Sequence, residues 1–301
     1  MSTAEPSAGL VVVDKPAGMT SHDVIARLRR LLGTRRIGHA GTLDPMATGV
    51  LVCGVQRGTK LLGHLPLEPK TYLGTIRLGE STSTDDAQGE PTGGADASAL
   101  SEPDIRAGIA ALTGPLDQVP SAVSAVKVAG RRAYAMARAG EQVQLAARSV
   151  TVSRFELLAL RRVVDVTSVG VTDIDVLVEC SGGTYVRALA RDLGAGFGVG
   201  GHLTALRRTQ VGPFGLDAAR TLDQLAERPV LSADLDQAVA AAFPHREVDG
   251  EQAKVLAHGG RLPAAGLAGT CAAFDPQGHA VALLTEHGPE ARPVLVLRPA
   301  G

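Results

Sequence analysis

The sequence predicts an α+β protein with one large domain and a small β-rich domain at its C-terminus, and three observations carry that prediction. The chain has 301 residues, 45% of them hydrophobic and 20% charged, which is enough to bury a substantial core. Alternating runs such as Ile174, Val176, Val178 and Cys180 are mixed with helical spacings such as Val24, Leu28 and Leu31. Near Pro244 the chain changes character, and His245 to Gly301 carries several short strand-like pieces. The domains are therefore placed at residues 1–243 and 244–301.

Taken in order, Leu10 to Val13 is a β-branched run that ends at Asp14-Lys15-Pro16. A helix starts near Thr20, where Thr20 and Asp23 form a capping-box pair, and Gly33 stops it. Thr34 to Gly41 is a small-residue loop with the adjacent arginines Arg35 and Arg36, a poor core segment and a good ligand-facing one. Thr71 to Leu78 reads as a strand, and the Ser, Thr, Asp and Gly-rich Gly79 to Ala97 as an exposed loop. A helix follows at Glu102 to Leu112. Pro120 to Ser149 mixes small residues with Lys127, Arg131, Arg132 and Arg138 and reads as a hairpin-plus-helix excursion from the main sheet. Asp173 to Cys180 is a half-buried strand ended by Gly182-Gly183, and Tyr185 to Leu193 is a helix with Val186, Leu189 and Leu193 inward. Arg161 to Thr172 reads as an insertion between strands. In the last segment, Thr270 to Phe274, Ala280 to Thr285 and Pro293 to Leu297 are the strand-like pieces.

Composition excludes several classes. Met1 to Ala8 lacks the features of a secretory signal and no segment has the apolar length to span a bilayer, so a soluble cytoplasmic protein with no membrane association is expected. Cys53, Cys180 and Cys271 are scattered and form no C-x-x-C pair, which argues against a disulfide framework and a zinc site. No G-x-G-x-x-G follows a strand and no P-loop is present, so neither cofactor nor metal is expected. The net charge of −1 counts against nucleic-acid binding until its distribution is read. Asp14 to Lys60 holds eight basic residues against three acidic, and Lys127 to Arg162 eight against two. Glu80 to Asp104 holds seven acidic residues and no basic one.

Asp44-Pro45 alone is a common helix start, with Asp at the N-cap and Pro at the first helical position. Its surroundings point elsewhere, because small residues flank Asp44 on both sides from Gly38 to Gly49 and let backbone approach a ligand closely. The G-x-L-D-x-x-A-x-G-x-L pattern from Gly41 to Leu51 resembles the signature of TruB-type pseudouridine synthases. Asp14 to Ser21 is similar to that family's first motif, Lys70-Thr71-Tyr72 to its tyrosine motif, Ser181 to Arg187 to its third, and Leu206 to Thr209 to the one that follows. Five motifs stand in the family's order, from Leu10 to about Gly212.

The resemblance implies a fold and a set of roles. The fold is a mixed, mainly antiparallel sheet with flanking helices, a thumb-like insertion at about residues 120–150 and a PUA-like RNA-binding domain after Pro244. The activity is isomerisation of uridine 55 in the T-loop of tRNA, by base flipping and without a cofactor, a metal or an obligate protein partner. Asp44 falls on the nucleophile and Arg187 on the arginine that pairs with it, an arrangement that lowers a carboxylate pKa by about 1–3 pH units. Tyr72 falls on the tyrosine that stacks on the flipped base and takes the C5 proton. Tyr185 and Leu206 fall on substrate-contacting positions, and His39 on the histidine that fills the vacated place of the uridine. Arg35, Arg36, Lys127, Arg131 and Arg132 would hold the RNA backbone. Two other readings compete: a guide-RNA-dependent, dyskerin-like synthase, and an RNA-binding helper that refolds the tRNA elbow.

Overall fold

The computed structural model describes residues 7–121, 127–128, 131–132, 145–163 and 170–300. They form two compact units. The first comprises residues up to Asp44, Gly49–Leu67 and the chain from Gly212 onward, and the second Pro45–Thr48 and Glu68–Val211.

The first unit opens with β1 (Gly9–Lys15), α1 (Ser21–Leu31), β2 (Ile37–Ala40) and β3 (Thr48–Val55). Strand β3 pairs antiparallel with β1, Val12 opposite Val52, and with β2, Gly38 opposite Gly54. Val11–Val13 and Val50–Cys53 are fully buried, as their unbroken apolar runs require. Helix α1 is capped as its sequence predicts: the Thr20 side chain accepts from the Asp23 N–H and the Asp23 side chain from the Thr20 N–H. Its buried face is Val24, Ile25 and Leu28, while Leu31 is only half-buried. Gly33 follows at φ +62°, a left-handed conformation that suits glycine after a helix. The expected loop over Thr34 to Gly41 is instead a short strand from Ile37, anchored by the buried Ile37 side chain and too brief to leave a periodic signal.

The second unit contains β4 (Lys70–Leu78), α2 (Glu102–Ala111), β5 (Gly114–Gln118), β6 (Arg148–Val163), β7 (Val171–Cys180), α3 (Val186–Gly196) and β8 (Gly201–Val211). Its strands are ordered β8-β4-β7-β6-β5, and every pairing is antiparallel. Helix α3 packs on β8 and β4 through Val186, Leu189 and Leu193. Two expectations need correction. The excursion expected over Pro120 to Ser149 ends two residues sooner, because Arg148–Val152 pair with Gln118–Gly114. The two ends of the insertion expected over Arg161 to Thr172 belong to the β6–β7 ladder, where Arg161 faces Asp173 and Arg162 faces Thr172, and residues 164–169 lie outside the described residues. Residues 133–144, the middle of the thumb-like segment, lie outside the described residues.

The remainder of the first unit adds α4 (Leu222–Glu227), α5 (Leu235–Ala242) and α6 (Gly250–Ala257), each started by a capping box at Thr221, Asp234 and Asp249. It also holds a five-stranded sheet ordered His245–Glu247, β9 (Thr270–Phe274), β10 (Ala280–His287), β11 (Glu290–Val296) and Leu262–Pro263. Its own core includes Val248, Leu256, Cys271, Val281, Leu284 and Ala291. The fold class is thus the expected α+β, with a largely antiparallel main sheet and a β-rich C-terminal segment.

Asp236 ties α5 to this second sheet. Its carboxylate accepts the Ala280 N–H at 2.7 Å and two Arg298 N–H groups at 2.7 and 2.9 Å. Burial works against the charged form, but Arg298 and the Ala280 N–H outweigh it and hold the pKa below the usual aspartate value. A carboxylate lowered on folding stabilises above its unfolded pKa and loses that contribution as pH falls through the folded one. Asp236→Asn is expected to cost about 1–2 kcal/mol at neutral pH, toward the low end because Arg298 is partly exposed. Denaturant titrations should show the two proteins converging as the pH falls through and below the usual aspartate range.

Candidate active site

In the first unit Asp44 does not start a helix. Pro45 and Met46 bend and β3 begins at Thr48, which removes the capping explanation for Asp44-Pro45. Asp44 is half-buried on a turn whose neighbour Leu43 is locked in place. The Leu43 N–H donates to Ser21 Oγ at 2.9 Å, and Ser21 Oγ in turn donates to the Leu43 carbonyl at 3.1 Å. Ser21 is the first residue of α1, and its position depends on the turn before it. Lys15 has no exposed surface, and its ammonium donates to the carbonyls of Pro16 at 2.9 Å and Met19 at 2.7 Å. Gly18 permits that turn at φ +83°. The first sequence motif is therefore a brace, running from Lys15 through the turn and Ser21 to Leu43. His39 lies on β2 opposite Cys53, its ring edge-on to His22 at 5.5 Å, and Arg35 and Arg36 are exposed just before β2.

In the second unit Tyr72 is 7% exposed and stands in the sheet between Val178 and Arg208. Leu206 pairs with Gly74 and so shares the Tyr72 face. Arg187, the second residue of α3, is 5% exposed. Its Nη1 donates to the Thr84 carbonyl at 2.9 Å and lies 3.3 Å from Asp86 Oδ2. Asp86 is itself buried, and its other oxygen accepts from Thr84 Oγ1 at 2.6 Å and the Gln88 N–H at 3.0 Å. Neighbouring Asp85 holds φ +59°, a strained conformation for a side chain other than glycine. Burial pushes the Asp85 carboxyl up, against the opposing pull of the Ser121 hydroxyl, Arg191 and Arg187. Tyr185 is half-buried at the head of α3. On the Tyr72 face, burial followed by the charge of Arg208 lowers the Lys70 pKa, Glu68 opposing, and burial raises the Cys180 thiol to about 11.

Tyr72, Tyr185, Arg187 and Leu206 thus lie in the second unit, and Asp44, His39, Arg35 and Arg36 in the first. Lys127 and Arg131–Arg132 lie on two paired two-residue strands. Sequence reasoning missed Asp86, since a carboxylate in a polar loop carries no signal of its own, and it read Ser21 only as the end of the first motif. It also treated Lys15 only as part of a motif, although a lysine ending an apolar strand is a candidate buried cation. The loop Gly79 to Ala97 is not simply exposed: Thr82, Asp86 and Ala97 are buried, and Asp85 and Ala87 bond to Leu203 through their backbones. Among the described residues no cluster of His, Cys, Asp and Glu could hold a metal ion, and no helix is long and apolar enough to cross a membrane.

Comparison with known proteins gives a consistent set of matches. The profile of the TruB family pseudouridylate synthase N-terminal domain matches residues 29–186. The tRNA pseudouridylate synthase B C-terminal domain profile matches residues 187–241, and that of tRNA pseudouridine synthase II, C terminal, residues 243–298. The chain is 62% identical over 297 residues to the tRNA pseudouridine synthase B of Nocardia farcinica, covering 99% of this chain and 95% of the relative. It is 60% identical over 294 residues to that of Rhodococcus jostii, covering 97% and 95%. A solved Cbf5-Nop10-Gar1 complex aligns with TM-score 0.71 at 23% identity, over 98% of this chain and 86% of the other. An archaeal box H/ACA sRNP Nop10-Cbf5 complex aligns with TM-score 0.69 at 24% identity, over 98% and 88%. At these identities the likeness concerns the fold alone.

Ser21→Ala tests the brace. It leaves the buried Leu43 N–H without its acceptor, at an expected cost of about 1–3 kcal/mol. Hydrogen exchange at Leu43 should accelerate by about tenfold or more, with protection in β4 to β8 unchanged. An unaltered Leu43 rate would mean that Ser21 does not hold the turn.

Proposed function

Because the chain belongs to the TruB family of pseudouridylate synthases, we propose that it isomerises uridine 55 in the T-loop of tRNA to pseudouridine, with Asp44 as the essential carboxylate. The observation that carries this reading is identity of 62% with a tRNA pseudouridine synthase B across 99% of the chain. Membership makes the protein an isomerase that forms pseudouridine. The nucleotide attacked and the residues that attack it are the finer part of the proposal.

The reaction changes no oxidation state and needs no co-substrate. The N1–C1′ glycosidic bond breaks, the uracil turns within the site, C5 bonds to C1′, the C5 proton leaves and N1 gains one. Asp44, as a carboxylate, attacks C1′ of the ribose or C6 of the base and departs when the new bond forms. Its placement on a turn braced by Ser21 and Lys15 supports that role, since a nucleophile gains from a fixed approach. Tyr72 stacks on the uracil and accepts the C5 proton, Arg187 has the task of keeping the carboxylate ionised, and Tyr185 and Leu206 line the pocket. Withdrawing the base from its stack costs a few kcal/mol, which His39 offsets by taking its place. Arg35, Arg36, Lys127, Arg131 and Arg132 contact the T-arm backbone, and with tRNA as substrate the protein acts in the cytoplasm.

The test uses an unmodified tRNA transcript tritiated at uridine C5, without added cofactor. Wild type is expected to release tritium from the T-loop uridine, and Asp44→Asn to bind the same tRNA and release none. Tight binding with no release by wild type would overturn the enzymatic reading in favour of an RNA-binding helper or a guide-dependent enzyme. Affinity measured against salt should fall with a slope of about −0.7 to −0.9 per phosphate contact. The Arg35→Ala, Arg36→Ala double variant should flatten that slope, and a flat slope in wild type would remove the backbone contacts.

A further inference from the structure

Five helices, α1, α2, α4, α5 and α6, begin at a Ser, Thr or Asp whose side chain caps the first turn. Helix α3 begins at Tyr185, whose side chain makes no cap bond. Its entry is fixed from another strand. Gln118, 67 residues earlier at the end of β5, is 4% exposed and turns its carboxamide onto the Tyr185 backbone. Gln118 Oε1 accepts the Tyr185 N–H at 2.8 Å, and Gln118 Nε2 donates to the Tyr185 carbonyl at 3.1 Å. This reciprocal pair fixes both backbone groups of one residue, and it admits a single orientation of the amide because oxygen and nitrogen have opposite roles.

A second tie reaches the same strand end. Arg191 of α3 donates through Nη2 to the Val119 carbonyl at 2.8 Å, and its Nη1 lies 3.4 Å from Asp85 Oδ2. Two attachments on one helix, at Tyr185 and Arg191, restrain both its shift along the axis and its rotation. Arg187 lies between them and makes its bonds to Thr84 and Asp86 from there.

We propose that Gln118 is a positioning residue for pseudouridine formation: its carboxamide sets the direction in which Tyr185 and, through the first turn of α3, Arg187 are presented to the substrate. The proposal rests on the functional reading above, in which those two residues meet the uridine. In that reading Gln118 is assigned neither to the uridine nor to the T-arm backbone. Its loss therefore weakens the chemical step and leaves tRNA binding in place, since small misplacements of a reacting group slow chemistry far more than they reduce affinity. Helix α3 keeps its buried Val186, Leu189 and Leu193, so the change is one of aim.

The chain offers a direct readout, because it has three tyrosines and no tryptophan. Protein labelled with 3-fluorotyrosine gives three fluorine resonances, assigned by the Tyr72→Phe, Tyr134→Phe and Tyr185→Phe variants. In Gln118→Ala the Tyr185 line is expected to move while the Tyr72 line stays. The single-turnover rate constant should fall about 10- to 100-fold with the Kd for tRNA within about twofold. Gln118→Glu keeps the acceptor for the Tyr185 N–H and is expected to recover part of the rate. An unmoved Tyr185 line, an unchanged rate, or a loss lying wholly in Kd overturns the proposal. If Gln118→Ala shifts all three lines, Gln118→Glu decides by the same criterion against wild type. A wild type that forms no pseudouridine sinks the functional reading whatever the Tyr185 line does, whereas an active wild type with an equally active Gln118→Ala sinks this inference alone.

Discussion

Arg187 is a guanidinium taken almost wholly out of water, and much of the second unit is arranged to meet it. Removing one charge from solvent costs several kcal/mol unless a counter-charge and hydrogen-bond acceptors replace the lost water. Asp86 supplies the charge and the Thr84 carbonyl an acceptor, and both come from the loop between β4 and α2. That loop must therefore fold inward despite a composition suited to solvent. The cost is visible in its backbone, where Asp85 takes a left-handed conformation so that Asp86 can turn toward the helix. The loop is held by β8 through Leu203, and Thr82 Oγ1 donates to the Asp86 carbonyl at 2.8 Å.

The first unit solves a related problem with a lysine. Lys15 is as buried as any leucine around it, and its ammonium is met by main-chain carbonyls. A cation held in this way stiffens the turn that supplies those carbonyls. The stiffness passes through Ser21 to Leu43, next to the half-buried Asp44. Each unit thus contains a buried cation whose bonds order a polar segment that would otherwise be free to move. A residue meant to act on a substrate within fractions of an ångström benefits from support of this kind.

Charge counts along the chain overstated one basic surface. Arg154 pairs with Glu156 at 2.7 and 2.8 Å, Arg161 with Asp175, and Arg162 donates to the carbonyls of Ser98 and Leu100. Arg154 and Arg161 are matched by carboxylates, so they contribute little uncompensated field, whereas the neutral carbonyls that hold Arg162 leave its charge in place. The arginines after α1 differ, since Arg35 and Arg36 are exposed and form no ion pair among the described residues. Steering of a polyanion depends on such uncompensated groups and not on the count in a window.

Elements whose information is local were legible in the chain. Alternation placed β4 and β7, caps and glycines placed α1, and three of the C-terminal strands were found close to their limits. The motifs also pointed to the family and to Asp44, Tyr72 and Arg187 as a set. What those residues rest on was set by contacts between segments far apart in the chain. Ser21 and Leu43 are 22 residues apart, Gln118 and Tyr185 67, and Arg187 and Thr84 103. Nothing in the local pattern of a Ser, a Gln or a Thr tells which distant backbone group it will bond. The same limit hid β2 and the sheet character of Arg148 to Val163, because pairing partners, not propensity, make those segments strands. Chain order specifies periodicity and end signals, whereas the pairing of buried polar groups is settled only when the fold removes water from them and each must find a partner.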